Sequence, residues 1–199
     1  MSRRDAAPSN AQSDLVVRRI IQVNHAGENG AIAIYRQQIA QAKTRYPDLL
    51  PWLQETLGHE QTHRDRFQAL MPERGARPCP AMAVWSVGGW VLGSGTARLG
   101  RLGVVICTAA VERTVHAHLV QQIAYLQQHD PAVAETVREI QRDEDAHLAY
   151  AEARHDPSRL GARLLAALIS VVTDALILLA TRGDSWRLKK ALAAHKARE

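Results

Sequence analysis

Gly-His-Glu-Gln-Thr-His at 58–63 sets Glu60 three positions before His63, and Arg-Asp-Glu-Asp-Ala-His at 142–147 repeats the arrangement with Glu144 and His147. On an α-helix, residues three apart are separated by roughly 300° of rotation, so each carboxylate stands nearly above its imidazole on one face. One such pair is ordinary on a surface helix. Here each pair is preceded, at the same interval of 32 residues, by an isolated glutamate among small or apolar neighbours: Glu28 before Glu60 and Glu112 before Glu144. The chain therefore carries a half-repeat, Glu-x31-Glu-x2-His, written twice.

If four antiparallel helices each aim one position at a common axis, a Glu from two helices and a Glu-x-x-His from each of the others form the ligand set of a di-iron carboxylate bundle. Carboxylates bridge two cations, offset their charge and change denticity with oxidation state, while each imidazole supplies a neutral nitrogen. A purely structural role would leave four carboxylates in the interior with few cations to neutralise them, at a cost of about a few kcal/mol each. The candidate metal ligands are Glu28, Glu60, His63, Glu112, Glu144 and His147, and no catalytic side chain is expected beyond them.

Around this pattern, Asp143 is expected to hold His63 on the opposite helix rather than to bind metal, fixing the imidazole tautomer. His25 shares the face of Glu28 and reads equally as a partner of the site or a surface histidine. His116 and His118 read as structural or surface residues, and Tyr35 as a core tyrosine.

The elements that must position these residues are helices almost throughout, with no hairpin signals. Five are expected: about Asp14 to Arg45, ended by YPDLLP; Leu49 to Leu70; Thr96 to Gln128; Pro131 to Arg154, with proline in the first turn; and Pro157 to Arg182. The fold class is an all-α, ferritin-like antiparallel four-helix bundle with an additional C-terminal apolar helix and a membrane-associating crossover segment. The organisation is a flexible N-terminus (1–13), a metal-binding domain (14–182) and a basic tail (183–199).

Composition agrees with one folded domain: 199 residues, 46% apolar and 23% charged. Cys79 and Cys107 have neither close spacing nor zinc-type partners, so a disulfide framework or thiolate metal site is not expected and a reducing compartment is the simpler reading. The N-terminal stretch has no apolar core, which argues against a secretory signal. Of the net charge of +5, a balance of +4 lies between Arg182 and Glu199, six basic residues against two acidic ones.

Two apolar stretches are in excess of what a small bundle needs. No charge occurs from Pro78 to Ala97, but four glycines and two prolines there argue against a spanning helix; from Leu164 to Thr181 the single charge is Asp174. With the basic tail behind them, they read as a surface lying in a membrane interface, cations at the headgroups. Whether residues 80–97 enter the bilayer or fold on the bundle is open at this stage.

The segments VNHAGENGAIAIYRQQ, HEQTHRDRF, GSGTARLG with AVERTV, and RDEDAHLAYAE, in this order and spacing, resemble the demethoxyubiquinone hydroxylase family of ubiquinone biosynthesis, from about Ile20 to Arg182. The resemblance implies a di-iron monooxygenase that hydroxylates the ring of a polyprenylated methoxy-benzoquinol. It implies two iron ions per chain held by the six residues above, O2 as co-substrate and an external electron donor. The implied setting is peripheral, on the cytoplasmic face of a cell membrane, with a membrane-embedded quinol, the lipid surface and other ubiquinone-biosynthesis proteins as partners and no nucleic acid. Two departures stand out: Arg113 and Leu119 occupy positions where the family often has Glu and Tyr. They weaken any role for a tyrosine of that helix in relaying electrons. Two other readings compete, a tRNA-modifying di-iron hydroxylase, which a pI near 9.6 would suit, and a non-catalytic ferritin-like iron-binding bundle. The first leaves the apolar stretches unexplained, and the second calls for a polar outer face.

Overall fold

The computed structural model describes residues 10–180 and Lys190. Among the described residues six α-helices follow one another: α1 (Asn10–Arg45), α2 (Leu50–Arg74), α3 (Met82–Arg98), α4 (Gly100–His129), α5 (Pro131–Glu152) and α6 (Leu160–Ala180), with a one-turn 3-10 helix, Pro47–Leu49, between the first two. The fold is an all-α, ferritin-like bundle. α1 packs on α2 and α4 on α5, and the two hairpins face each other through α1–α4 and α2–α5. Apart from Lys190, the expected basic tail lies outside the described residues, as does the N-terminal segment to residue 9.

Local chemistry sets the breaks. Pro47 starts the turn out of α1, and Asp130 caps α5 by accepting a hydrogen bond from the Val133 backbone N–H at 3.1 Å, with Pro131 in the first turn. α2 runs four residues beyond the expected Leu70, through Pro72, and ends where Gly75 takes a left-handed φ of 62°. α1 begins at Asn10, before the expected Asp14, and α6 begins at Leu160 rather than Pro157.

The larger difference is the crossover, which contains a helix of its own. Residues 82–98 form α3, and Thr96 belongs to it rather than opening the next helix. α3 lies directly on α1: a Cβ at Gly89 or Gly93 would run into the backbone of Gly30 or Ile34. The glycines that argued against a spanning helix in the sequence permit this close approach. The five expected helices therefore become six among the described residues.

The two largest apolar clusters leave a polar layer between them. In one part Ile20 and Ile21 of α1, Phe67 of α2, Leu126 of α4 and Ile140 of α5 pack together. In the other are Tyr35, Tyr46, Leu53 and Val104. Along each bundle helix the glutamates and histidines of the half-repeat fall outside these stretches: Glu28 lies between Ile21 and Tyr35, and Glu60 and His63 lie between Leu53 and Phe67. Apolar packing at both ends holds the helices together while the middle is free for chemistry.

Two faces stay apolar and exposed. α3 presents Val87, Trp90 and Val91, and α6 presents Leu160, Leu164, Leu168 and Val171, each more than half exposed. Ala162 and Ile169 anchor α6 against Ile106, Cys107 and Ala110 of α4, so this helix is a half-covered layer on the bundle and not its centre. Among the described residues, no helix is long and apolar enough to cross a membrane.

Candidate metal centre

The six half-repeat residues, from four helices, meet in the middle of the bundle, and all are buried. Their donor atoms form two overlapping groups. In one, atoms of Glu28, Glu60, His63 and Glu144 lie within 4.8 Å of one another; in the other, atoms of Glu60, Glu112, Glu144 and His147 do. Glu60 and Glu144 belong to both. The arrangement fits two neighbouring cations, each with one carboxylate and one imidazole of its own and two carboxylates shared.

The electrostatics reflect the crowding of four buried carboxylates. Burial, and then the neighbouring Glu144 charge, push Glu28 up to about 7. Burial followed by the same neighbour pushes Glu60 and Glu112 well above the carboxylate range. Burial acts on Glu144 in the same direction but is outweighed by the adjacent His147 and His63 imidazoles, which leave it well below its ordinary value. For His63, burial lowers the pKa, yet the surrounding carboxylates prevail and raise it to about 9. Carboxylates gathered in this way favour their protonated forms unless cations neutralise them. Glu60 Oε1 and His63 Nδ1 are buried without a hydrogen-bond partner, although Nδ1 lies 3.0 Å from Glu144 Oε1. Unsatisfied oxygen and nitrogen atoms directed into a group of carboxylates are the donor set that a pair of divalent ions completes, so the residues fit the metals.

Each histidine is held from behind. Asp143 Oδ2 lies 2.9 Å from His63 Nε2, as the sequence led us to expect, so the other nitrogen, Nδ1, faces the cluster. His147 also turns Nδ1 inward, 3.3 Å from Glu144 Oε2 and 3.6 Å from Glu60 Oε1, while its Nε2 lies 3.0 Å from Nδ1 of His59. Sequence reasoning passed over His59. The available signal was its place in the half-repeat, immediately before Glu60 as Asp143 is immediately before Glu144.

Tyr35 is more than the core tyrosine expected. Its buried hydroxyl donates to Glu112 Oε1 at 2.9 Å, orienting that carboxylate. His116 pairs with Asp145 at 2.6 Å on the surface, in line with the structural reading. His25 is buried, with its pKa lowered by burial; it stands in neither group of donor atoms and is not the surface histidine that was the alternative reading. Of the two departures in α4, Arg113 forms an exposed ion pair with Glu152 and Leu119 is buried in the core.

A cavity leads away from the carboxylates. Glu28, Glu60, Glu112 and Glu144 line it together with Ile34, Val111, Trp85 and Leu92 of α3 and Thr173 of α6. His118, expected on structural or surface grounds, also lines it. The cavity joins the polar cluster to the two helices with exposed apolar faces.

Comparison with known proteins agrees with this geometry. The family described as ubiquinone biosynthesis protein COQ7 matches residues 16–180. The NADPH-dependent 3-demethoxyubiquinone 3-hydroxylase of Mus musculus is 36% identical over 170 residues, 83% of this chain and 77% of its own length. The 3-demethoxyubiquinol 3-hydroxylase of Rhodospirillum rubrum is 32% identical over 157 residues, covering 77% and 74%. A Dictyostelium discoideum protein with the same name as the mouse enzyme is 31% identical over 172 residues, covering 84% and 77%. With the match extending over all four bundle helices and the six clustered side chains, the chain belongs to the ubiquinone biosynthesis protein COQ7 family.

Proposed function

We propose that this protein is a di-iron monooxygenase that hydroxylates the ring of a demethoxyubiquinol in ubiquinone biosynthesis. The observation that carries the reading is one cavity lined both by the Glu28, Glu60, Glu112 and Glu144 carboxylates and by apolar residues of α1, α3 and α4. A bundle that only held iron has no use for an apolar passage ending at its metal ligands. A polyprenylated ring needs one.

Two iron ions, when bound by Glu28 and His63, by Glu112 and His147, and jointly by Glu60 and Glu144, would supply the means to activate O2. The chain's own residues do the rest. Asp143 and His59 fix the imidazole tautomers, and Tyr35 holds Glu112 by its hydrogen bond. Ile34, Val111 and Leu92 exclude water and give the ring an apolar seat, with His118 beside it. Hydroxylation places one oxygen atom of O2 in the ring and releases the other as water, so two electrons must come from an external donor.

The prenyl tail requires an apolar continuation beyond the protein. The exposed apolar residues of α3 and α6 form such a surface, and the basic residues between Arg182 and Arg198 would add attraction to anionic headgroups. The protein therefore lies on a membrane surface without spanning it, and other proteins of the same pathway are its expected neighbours.

The test is a quinone profile of cells lacking the protein. A demethoxy-quinone should accumulate, and the chain, but not its Glu144→Ala variant, should restore ubiquinone. A normal profile in the deleted cells would overturn the reading.

A further inference from the structure

The half-repeat makes the two histidines equivalent in spacing, but the groups behind them differ. His63 Nε2 meets a carboxylate, Asp143, at 2.9 Å, whereas His147 Nε2 meets a second imidazole, His59, at 3.0 Å. The His59 and His147 rings are within 17° of parallel with centroids 5.2 Å apart. That separation is about one N···N distance plus two ring radii, so the rings lie edge to edge, as a straight N–H···N hydrogen bond requires.

With Nδ1 of each histidine facing the cluster, the ring proton sits on Nε2 and is donated outward. Asp143 accepts it with a negative charge. His59 can accept it only as a neutral ring whose own proton is on Nε2. A carboxylate behind a ligating imidazole draws the proton toward itself and makes the ligating nitrogen a stronger donor; a neutral acceptor fixes the tautomer but adds far less to that donor strength.

Resting on the two-metal reading above, we infer that the two metal positions are unequal and fill in order: first the one held by Glu28 and His63, then the one held by Glu112 and His147, with His59 as the positioning residue that sets the weaker affinity. Partners of this type change metal affinity by roughly 10- to 100-fold. Asp143 is half-exposed, with 47% of its side chain accessible, so solvent screens its charge and the separation is expected near the lower end, about tenfold.

The structure also shows how to remove the difference. Asp143 on α5 reaches across to His63 on α2, and an aspartate at position 59 on α2 occupies the corresponding place facing His147 on α5. The experiment is an anaerobic calorimetric titration of the metal-free, full-length chain with Fe(II), on the wild type and on the His59→Asp, His59→Gln, His59→Phe and Asp143→Asn variants, with a melting curve for each. The wild type should bind two irons in two steps about tenfold apart. His59→Asp should tighten the second step to near the first. His59→Phe, with no acceptor, should weaken the second step by a further tenfold, and His59→Gln, a neutral acceptor, should keep the wild-type spacing. Asp143→Asn should weaken the first step only. Should His59→Asp fail to fold, the contrast between Phe and Gln still decides. Two irons bound with a single affinity in the wild type, or a second step insensitive to residue 59, would overturn the inference while leaving the two-metal reading intact. Fewer than two irons bound would overturn both.

Discussion

His63 is gripped from both sides by consecutive residues of α5: Asp143 Oδ2 lies 2.9 Å from its Nε2, and Glu144 Oε1 lies 3.0 Å from its Nδ1. Successive residues on a helix point about 100° apart, so one turn of α5 can present a carboxylate to the metal side of the ring and another to its back. The Asp143→Asn variant should keep two irons when iron is saturating yet turn over about 10- to 100-fold more slowly, because an amide accepts the hydrogen bond without the charge that strengthens the imidazole. Iron stoichiometry and quinol hydroxylation on the same preparation check this. A wild-type rate would remove the role given to Asp143, and loss of one iron despite saturation would make it a ligand.

Glu144 lies in both groups of donor atoms, whereas His147 lies in one. Glu144→Ala should therefore disturb both positions and His147→Ala mainly one. We expect fewer than two irons per chain in each variant, with the greater loss for Glu144→Ala and no activity in either. Full occupancy with wild-type turnover in both would mean that the half-repeat has another purpose.

Tyr35 connects the core to the site through Glu112. In Tyr35→Phe the metal-loaded protein should lose about 1.5–3 kcal/mol of stability, the usual worth of a hydrogen bond to a charged group. The metal-free protein should lose less, since burial raises the Glu112 pKa and so favours its neutral form there. Chemical denaturation with and without iron gives the two values; equal losses would show that the hydroxyl serves packing alone.

The metal-free cluster predicts an uncommon dependence on pH. Glu28 is raised from 4.5 to about 7 in the folded state and His63 from 6.5 to about 9. Groups with raised folded pKa values contribute stability that is complete below the unfolded value and lost as pH rises through the folded one. Glu144, shifted down, is ionised in both states above about pH 6 and adds no slope there. The melting temperature of the metal-free protein should therefore fall steadily between about pH 5 and 9. With iron bound, deprotonated ligands are favoured and the trend should reverse over the acidic half of that range. A flat metal-free profile would contradict the burial of these protons.

For the apolar faces, Trp90→Glu together with Leu168→Glu should reduce sedimentation with anionic vesicles several-fold without altering iron content, because both side chains are more than half exposed. Deleting residues 183–199 should weaken the same binding and make what remains less sensitive to salt. Unchanged sedimentation in both variants would assign these faces to another partner.

The glutamates and histidines of the site were legible in the sequence because helical geometry is local. A Glu-x-x-His pair shares a face wherever it occurs in a helix, and two equal intervals of 32 residues place two such faces at matching heights in two hairpins. Asp143 was readable for the same reason, by its angle from Glu144. How the helices dock was not contained in any local pattern. Only docking decides that Glu60 and Glu144 stand in both groups of donor atoms, that the Tyr35 hydroxyl reaches Glu112, and that His59 meets His147 across the gap between α2 and α5. The same holds for the crossover: the glycines between Pro78 and Ala97 argue against a spanning helix because their local propensity is poor, whereas contact with α1 at Gly30 and Ile34 rewards the absence of side chains. Helical period and spacing come from the backbone of each segment alone, while the pairing of side chains from different segments depends on the packing of the whole bundle, which no single stretch of sequence encodes.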